Sequence, residues 1–429
     1  MTSALMPATV VIAGAGQAGA STAAALREFG FPGRIVLVGD EPYLPYQRPP
    51  LSKGHLAGVN AQEGLWLHPN SFYAHHEIDL MLDDSVRRID RNNARVELAS
   101  GAVLDYDRLV LALGGRNRAL PVAGADLDGV VGLRSLDEAD DIRDRLSRAR
   151  NVVVIGGGFI GLEVAATAVK LGVDAVVIEV SDQLMGRVVS PEMGRILLDA
   201  HRARGLHVAL GTSVRAMTGV AGRVNAVVTS DGHELPADLV LVGIGAIPNT
   251  EIAERAGLRV DNGIVVDEYL ATDDTQISAV GDCAVCPNPF ASGRNVRLES
   301  VHNATAQARF LAARLVGRAE PYVSVPWFWS NQGDLKLQIA GLRGPSGHNV
   351  FRGDPASGRF SVFCFEGDVL RCVESLNRPG DHMAARKLLA DGVALTPDQA
   401  SDLTVDLRTH LAEATVEPVL TDDRTPARG

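Results

Sequence analysis

Short apolar runs alternate with amphipathic stretches over the first three quarters of the chain. Thr9–Ala13 is apolar from Val10 on and too short for a helix, so it predicts a buried parallel strand. Gly14–Gly19 follows as a turn, Ala20–Phe29 as a helix and Arg34–Val38 as a second strand. The same order returns at Asn151–Ile155, Gly156–Gly161, Leu162–Leu171 and Ala175–Ile178. A repeated βαβ unit predicts an α/β protein with parallel sheets. Between the repeats, Leu136–Ala149 reads as a helix. From about Tyr322 the texture changes. Leu335–Leu342, Asn349–Arg352, Arg359–Phe365 and Val369–Leu376 read as strands, with Glu366-Gly367-Asp368 as a hairpin turn and Asp381–Leu389 as a helix. The stretch 413–429 has no periodicity and predicts a flexible tail.

The 429 residues suggest two or three domains. A formal net charge of −11 gives no general attraction to nucleic acid or anionic lipid. Val152–Ile160 is too short to span a bilayer, and Met1–Ala8 lacks the charged start of an export signal. A cytoplasmic protein is expected. All four cysteines follow residue 280 and form no disulfide framework.

Each repeat carries the pattern G-x-G-x-x-G at its strand-to-helix turn: Gly14, Gly16 and Gly19, then Gly156, Gly158 and Gly161. The first glycine permits the turn, the second lets backbone approach a pyrophosphate, and the third packs helix on strand. Asp40 and Glu179 end the following strands, where a carboxylate can bind a ribose hydroxyl. The first repeat is read as the FAD site and the second as the NADH site. Val180, Ser181 and Asp182 offer no cation for a 2′-phosphate, which Glu179 would repel, so NADH is expected over NADPH. Gly281-Asp282 closes another short strand, and Asp282 is a candidate for the flavin ribityl chain. Leu109–Gly115 and Leu239–Pro248, each an apolar run into a Gly-rich turn, suit chain crossings between the two nucleotide folds.

These residues, with Pro45 to Lys53 (PYQRPPLSK), Asp105 to Ala112 (DYDRLVLA), Gly156 to Ala166 (GGGFIGLEVAA), Gly243 to Asn249 (GIGAIPN), Val280 to Ala284 (VGDCA) and Pro326 to Ser330 (PWFWS), resemble FAD-dependent ferredoxin reductases of the putidaredoxin and rhodocoxin reductase type. The resemblance implies a glutathione-reductase-like fold with two dinucleotide-binding domains and a C-terminal α+β domain. It implies FAD on residues 1–112 and 245–321, NADH on 113–244, and the C-terminal domain over 322–412. Carried over by motif, Ala18, Asp40, Arg48, Lys53, Val86, Arg134, Asp282 and Val301 would contact FAD. Ile160, Glu163 and Gly243 would line the NADH side, and Trp329 would border the isoalloxazine. Lys53 paired with Glu163 would stabilise the reduced flavin. The implied activity is electron transfer from NADH to a 2Fe–2S ferredoxin serving a haem-thiolate monooxygenase or a Rieske-type oxygenase. Rubredoxin reductase, NADH oxidase and an NADH-sensing flavoprotein of the apoptosis-inducing-factor type share the motifs.

No cysteine precedes Cys283, so a thiol relay after the first repeat is excluded. Cys283 and Cys286 form C-x-x-C, which reads either as a redox pair, as half a metal site, or as two buried thiols. No second such pair completes a metal set, and no metal is expected. Cys364 and Cys372 read as core thiols. His55, His68, His75 and His76 lack ligand spacing. His302 stands where relatives often carry proline and reads as a flavin-edge donor or a capping residue. An acidic reductase needs a local basic face for an acidic ferredoxin. Arg294, Arg297, Arg309, Arg314, Arg318, Lys336 and Arg343 are candidates, with Arg309 and Lys336 as the expected docking contacts; a solvated helix face is the alternative reading.

Overall fold

In the computed structural model, described over residues 7–318 and 320–416, the chain divides into two compact units, Met1–Lys336 and Leu337–Gly429. The first unit holds two five-stranded parallel sheets. Ile277–Ala279, Arg108–Leu111, Thr9–Ala13, Arg34–Val38 and Ile78–Met81 lie side by side in that order. The second sheet runs His207–Ala209, Asp174–Ile178, Asn151–Ile155, Leu239–Val242, Val130–Val131. Both repeats therefore supply the central strand of their sheet. Val10, Val11 and Ile12 are fully buried, as is Val153. Each such side chain contributes about 1.5–3 kcal/mol relative to exposure.

The first sheet is completed by Ile277–Ala279, which returns after the whole second sheet has been laid down. The chain crosses between the folds twice. Gly115–Asn117 and Ala246–Pro248 pair antiparallel where it does so, at the ends of the two stretches expected to carry crossings. The helix Gln17–Glu28 packs on Val301–Leu315, whereas Phe159–Lys170 packs on the strand Trp327–Gln332 and the short turn Pro49–Ser52.

Both repeat helices begin three residues before the predicted start, at Gln17 and Phe159. The third glycine lies inside the first turn. A Cβ on Gly19 would come within 1.8 Å of the Gly14 carbonyl oxygen, and one on Gly161 within 2.2 Å of that of Gly156. A first turn built around glycine carries no apolar periodicity, which hides the helix start.

In the second unit, Leu335–Gly341 (whose first residues lie before the division), Val369–Leu376, Arg359–Glu366 and His348–Asp354 form antiparallel neighbours in that order. The hairpin turn falls at Gly367, whose φ is +59°. Helix Pro379–Asp391 packs on Val369–Leu376. Residues 413–416, expected in the tail, are the last turn of a helix, Leu407–Val416. The remainder of the expected tail, 417–429, lies outside the described residues. Among the described residues no helix is long and apolar enough to cross a membrane.

Candidate functional site

The two glycine turns have one geometry. Gly14 and Gly156 adopt φ of +111° and +110°, in the left-handed region that glycine alone enters without strain. A Cβ on Gly14 would lie 2.2 Å from the Ala112 carbonyl oxygen, and one on Gly156 would lie 2.4 Å from that of Gly243. Gly16 and Gly158 face open space instead, with nothing within 4 Å of an added Cβ. These are also the N-cap residues of the two helices. Neither cap makes a side-chain hydrogen bond, and neither first turn holds an acid. Helices starting after Ser135, Ser190, Ser300 and Thr396 are all capped by those hydroxyls. Two uncapped helix N-termini above open glycines suit two pyrophosphates, so the residues fit two dinucleotides.

The acids differ. Glu179 Oε2 accepts the Gly157 N–H at 2.7 Å, and its Oε1 accepts the Ser181 N–H at 2.8 Å, so the carboxylate is fixed against the second turn. Asp40 is exposed beyond the end of its strand.

Around the first turn, Gly281 (φ +77°) abuts Ala18: an added Cβ would lie 2.8 Å from the Ala18 Cβ. Its N–H donates to Gln307 Oε1 at 2.7 Å. This brings Asp282 to the helix of the first repeat, although 264 residues separate Ala18 from Asp282 in sequence. Arg134 donates to Asp282 at 3.1 Å. The Arg134 carbonyl accepts from Arg48, which also pairs with Glu41 at 2.7 Å and reaches the Tyr46 hydroxyl at 3.2 Å. Arg48, Arg134 and Asp282 thus form one connected group. Val86 is buried at the start of Val86–Asp90, and Val301 opens the helix capped by Ser300.

Pro49 and Pro50 open a short 3-10 turn that ends at Lys53, because proline presets the backbone there and has no N–H to lose. Lys53 Nζ lies 2.5 Å from Glu163 Oε2. Glu163 is 4% exposed, deep on the inner face of Phe159–Lys170. Its oxygens are fully engaged. Ser52 Oγ donates to Oε2 at 2.5 Å and Ser330 Oγ to Oε1 at 2.7 Å. Thr167 Oγ1 ties the Ser52 carbonyl to the same helix at 3.1 Å. A buried ion pair is tolerable only when its remaining hydrogen-bonding sites are filled, as here. Sequence reasoning missed Ser52 and Ser330 as partners. Two-residue periodicity could have found Ser330: Phe328, Ser330 and Gln332 share one face of Trp327–Gln332, while Trp327 and Trp329 share the other.

That division is visible in the contacts. Phe328 meets Phe159 at 4.3 Å between ring centroids. Trp327 and Trp329 stand 5.4 Å apart, and His302 tilts against Trp327 at 5.0 Å while its Nε2 reaches Ser324 Oγ at 3.0 Å. Ile160 is 43% exposed at the mouth of the second turn.

Cys283 and Cys286 are buried free thiols, both pushed up to about 11 by burial. A neutral, enclosed thiol is a poor nucleophile. Cys364 and Cys372 face each other across the hairpin, and with Glu374 their ligand atoms lie within 4.8 Å; the sequence did not place Glu374 there. His55 pairs with Asp140 at 2.8 Å, and His68 stacks on Phe72.

The expected basic cluster comes together only in part: Arg309 and Arg318 both lie over the Phe29 ring, while two other members turn inward. Arg314 turns inward to Ser278 Oγ at 2.6 Å, and Arg297, 12% exposed at its side chain, binds Glu299. Arg309 is surface-exposed but held in a two-point pair with Glu28 at 2.6 and 2.7 Å, with its guanidinium over Phe29. Lys336 is exposed. The difference has a simple cause: Arg309 and Arg314 lie on different sides of the helix Val301–Leu315, one at the surface and one against Ser278.

The family model described as Pyridine nucleotide-disulphide oxidoreductase matches residues 8–308, and that described as Reductase C-terminal matches residues 327–411. Rhodocoxin reductase of Rhodococcus erythropolis is 51% identical over 404 residues, covering 94% of either chain. Putidaredoxin reductase of Pseudomonas putida is 42% identical over 417 residues, covering 95% of this chain and 98% of its own. The solved covalent putidaredoxin reductase–putidaredoxin complex matches with a TM-score of 0.92 at 41% identity, over 95% of this chain and 99% of that one. With both dinucleotide turns and the C-terminal domain in place, the chain belongs to the pyridine nucleotide-disulphide oxidoreductase family, in its ferredoxin reductase branch.

Proposed function

We propose that this protein is an FAD-dependent NADH:ferredoxin reductase that supplies an oxygenase system through a 2Fe–2S ferredoxin. The observation that carries the reading is the Lys53–Glu163 pair, which joins the turn after the first repeat to the helix of the second. FAD, when bound, supplies the conversion of a two-electron hydride donor into a one-electron source. Ala18, Asp40, Arg48, Lys53, Val86, Arg134, Asp282 and Val301 are assigned to FAD, with residues 1–112 and 245–321 as its domain. Ile160, Glu163, Glu179 and Gly243 are assigned to NADH on residues 113–244, and 322–412 to the C-terminal domain.

The chain's own residues do four things in this reading. The uncapped helix ends at Gln17 and Phe159 hold phosphate charge. Glu179 selects a free 2′-hydroxyl and repels a 2′-phosphate. Trp329 covers the ring system. Lys53 places a fixed cation where negative charge develops, and Glu163 holds that cation in one position. Despite the family description, no cysteine precedes Cys283, so no disulfide relay stands between the two nucleotides. Arg309 and Lys336 remain the proposed docking contacts, Arg309 after exchanging Glu28 for a partner carboxylate. The cytoplasm is the proposed compartment, supported by four free cysteines.

Anaerobic mixing of the NADH-reduced holoprotein with a purified 2Fe–2S ferredoxin, a rubredoxin or dioxygen tests the assignment. Fast bleaching of the ferredoxin is expected. Fast reduction of rubredoxin alone, or of dioxygen alone, replaces the reading with rubredoxin reductase or NADH oxidase.

A further inference from the structure

Lys53 and Glu163 are one end of a longer buried chain. Ser330, Gln332 and His201 continue it inward, at 0%, 1% and 1% exposure. His201 lies on the helix Pro191–Ala203, and its Nε2 is 2.7 Å from Gln332 Oε1. Gln332 Nε2 lies 3.2 Å from Ser330 Oγ and 3.6 Å from Met185 Sδ. Ser330 Oγ lies 2.7 Å from Glu163 Oε1.

We propose that His201 is a positioning residue for the Lys53–Glu163 pair, acting through Gln332 and Ser330; this rests on the reading of that pair as the charged group beside the flavin. Hydrogen-bond direction sets the order of the chain. An amide oxygen only accepts, so His201 Nε2 carries the proton. With Oε1 held, the Gln332 amide nitrogen must face Ser330. The serine oxygen then accepts, and its own proton is left for Glu163. Every bond in the chain donates toward the carboxylate, and such bonds reinforce one another.

The reverse arrangement fails. A flipped Gln332 would set N–H₂ against the protonated Nε2 and turn an acceptor toward Ser330. The serine proton would then be drawn away from Glu163, leaving a buried carboxylate oxygen without a donor. Both ends of the chain set this orientation: the Glu163 oxygen only accepts, which fixes the serine proton, and an Nε2–H on His201 holds the amide oxygen. Burial holds the His201 pKa below its ordinary value, which favours the neutral ring with one donor. The charged groups acting on it are Arg204 and Asp334, which pair with each other at 2.7 Å. A carboxylate that keeps its third donor holds Lys53 in place.

The FAD-loaded protein and its Gln332→Met, His201→Phe, Ser330→Ala and Glu163→Gln variants provide the test. Two quantities are read: the anaerobic rate of flavin reduction by NADH across pH, and the reduction midpoint of the bound flavin without NADH. Gln332→Met, close in volume, is expected to slow flavin reduction about tenfold, the usual cost of losing an outer supporting partner. It should also shift the flavin midpoint in the same direction as Glu163→Gln. If Glu163→Gln keeps the parent rate, the reading of the pair is wrong. If Glu163→Gln is slow but Gln332→Met keeps the parent rate, midpoint and pH profile, the role of His201 is overturned and the pair stands. Should the core variants not fold, nitrogen-15 histidine spectra of the unaltered holoprotein decide: a neutral Nε2–H ring is expected, and an Nδ1–H ring contradicts the proposal.

Discussion

The two nucleotide folds share a turn but solve the crowding behind it in opposite ways. In the first, the middle position of the glycine triplet is Ala15, and the residue after the second strand is Gly39. A Cβ on Gly39 would sit 2.5 Å from that of Ala15. In the second, the middle position is Gly157 and the residue after the strand is Glu179. A Cβ on Gly157 would sit 2.6 Å from Leu184 and 3.2 Å from the Glu179 Cβ. The gap is tight in both folds, and the first places its side chain on the turn while the second places it after the following strand. The consequence is chemical. Glu179 lies against its turn, accepting the Gly157 N–H, while Asp40 stands one residue further out and exposed. The helices diverge in the same manner. Ser21, a half-buried partner of Gln17, occupies the position at which the second helix carries the buried Glu163. Similar scaffolds thus come to differ in chemistry by changing a few positions rather than the fold.

The largest effect should come from that helix position. Glu163→Gln is expected to slow flavin reduction by NADH about 100-fold in stopped flow, because a fixed charge beside the reacting centre is lost. Ser21→Ala should stay within about twofold, as for most substitutions away from special features. Equal effects would dissolve the distinction between the helices.

Next in size is the gap itself. Gly157→Ala should raise the NADH dissociation constant at least about tenfold through overpacking, with FAD content unchanged. Gly39→Ala should do the reverse: FAD is lost on gel filtration, and NADH binding in the remaining holoprotein is normal. Adding Ala15→Gly to Gly39→Ala should restore FAD retention, a coupling that independent sites would not show.

A smaller change is expected in coenzyme choice. Glu179→Ala should narrow the preference for NADH over NADPH, measured as the ratio of kcat/KM values, by about tenfold, since one like-charge repulsion is removed. An unaltered ratio would place selectivity elsewhere.

The smallest effect belongs to the thiols, which have no counterpart in the second fold. Cys283 and Cys286 titrate near 11 when folded, against an ordinary value of 9. The folded state therefore prefers the protonated thiols. Their contribution is complete below pH 9 and is lost as pH rises through about 11. Urea midpoints should fall between pH 8 and pH 10.5, and less so in a Cys283→Ala/Cys286→Ala variant. Both thiols should also resist iodoacetamide at pH 8 until the protein unfolds.

Much of this was legible in the chain itself. Strand positions came through almost residue for residue at Thr9–Ala13 and Asn151–Ile155, because short apolar runs ending at glycine turns leave few alternatives, and at Val369–Leu376, because a tight turn precedes it. Helix starts did not, since a first turn packed around Gly19 or Gly161 shows no apolar period. The glycines and acids of the two turns were legible because each is demanded locally, by a positive φ or by a helix end. The arginine cluster was legible only in part, for the converse reason: whether Arg314 faces solvent or Ser278 depends on what packs against its helix.

By itself, then, the sequence determined the two nucleotide turns, their order and the absence of an early thiol relay, all properties of contiguous residues. Tertiary structure alone decided which distant residues meet. It brought Gly281 against Ala18, and it closed the line from His201 through Gln332 and Ser330 to Glu163 and Lys53. The physical reason is burial. A polar side chain removed from water must find its partners among whatever the fold delivers, and those partners follow no sequence period.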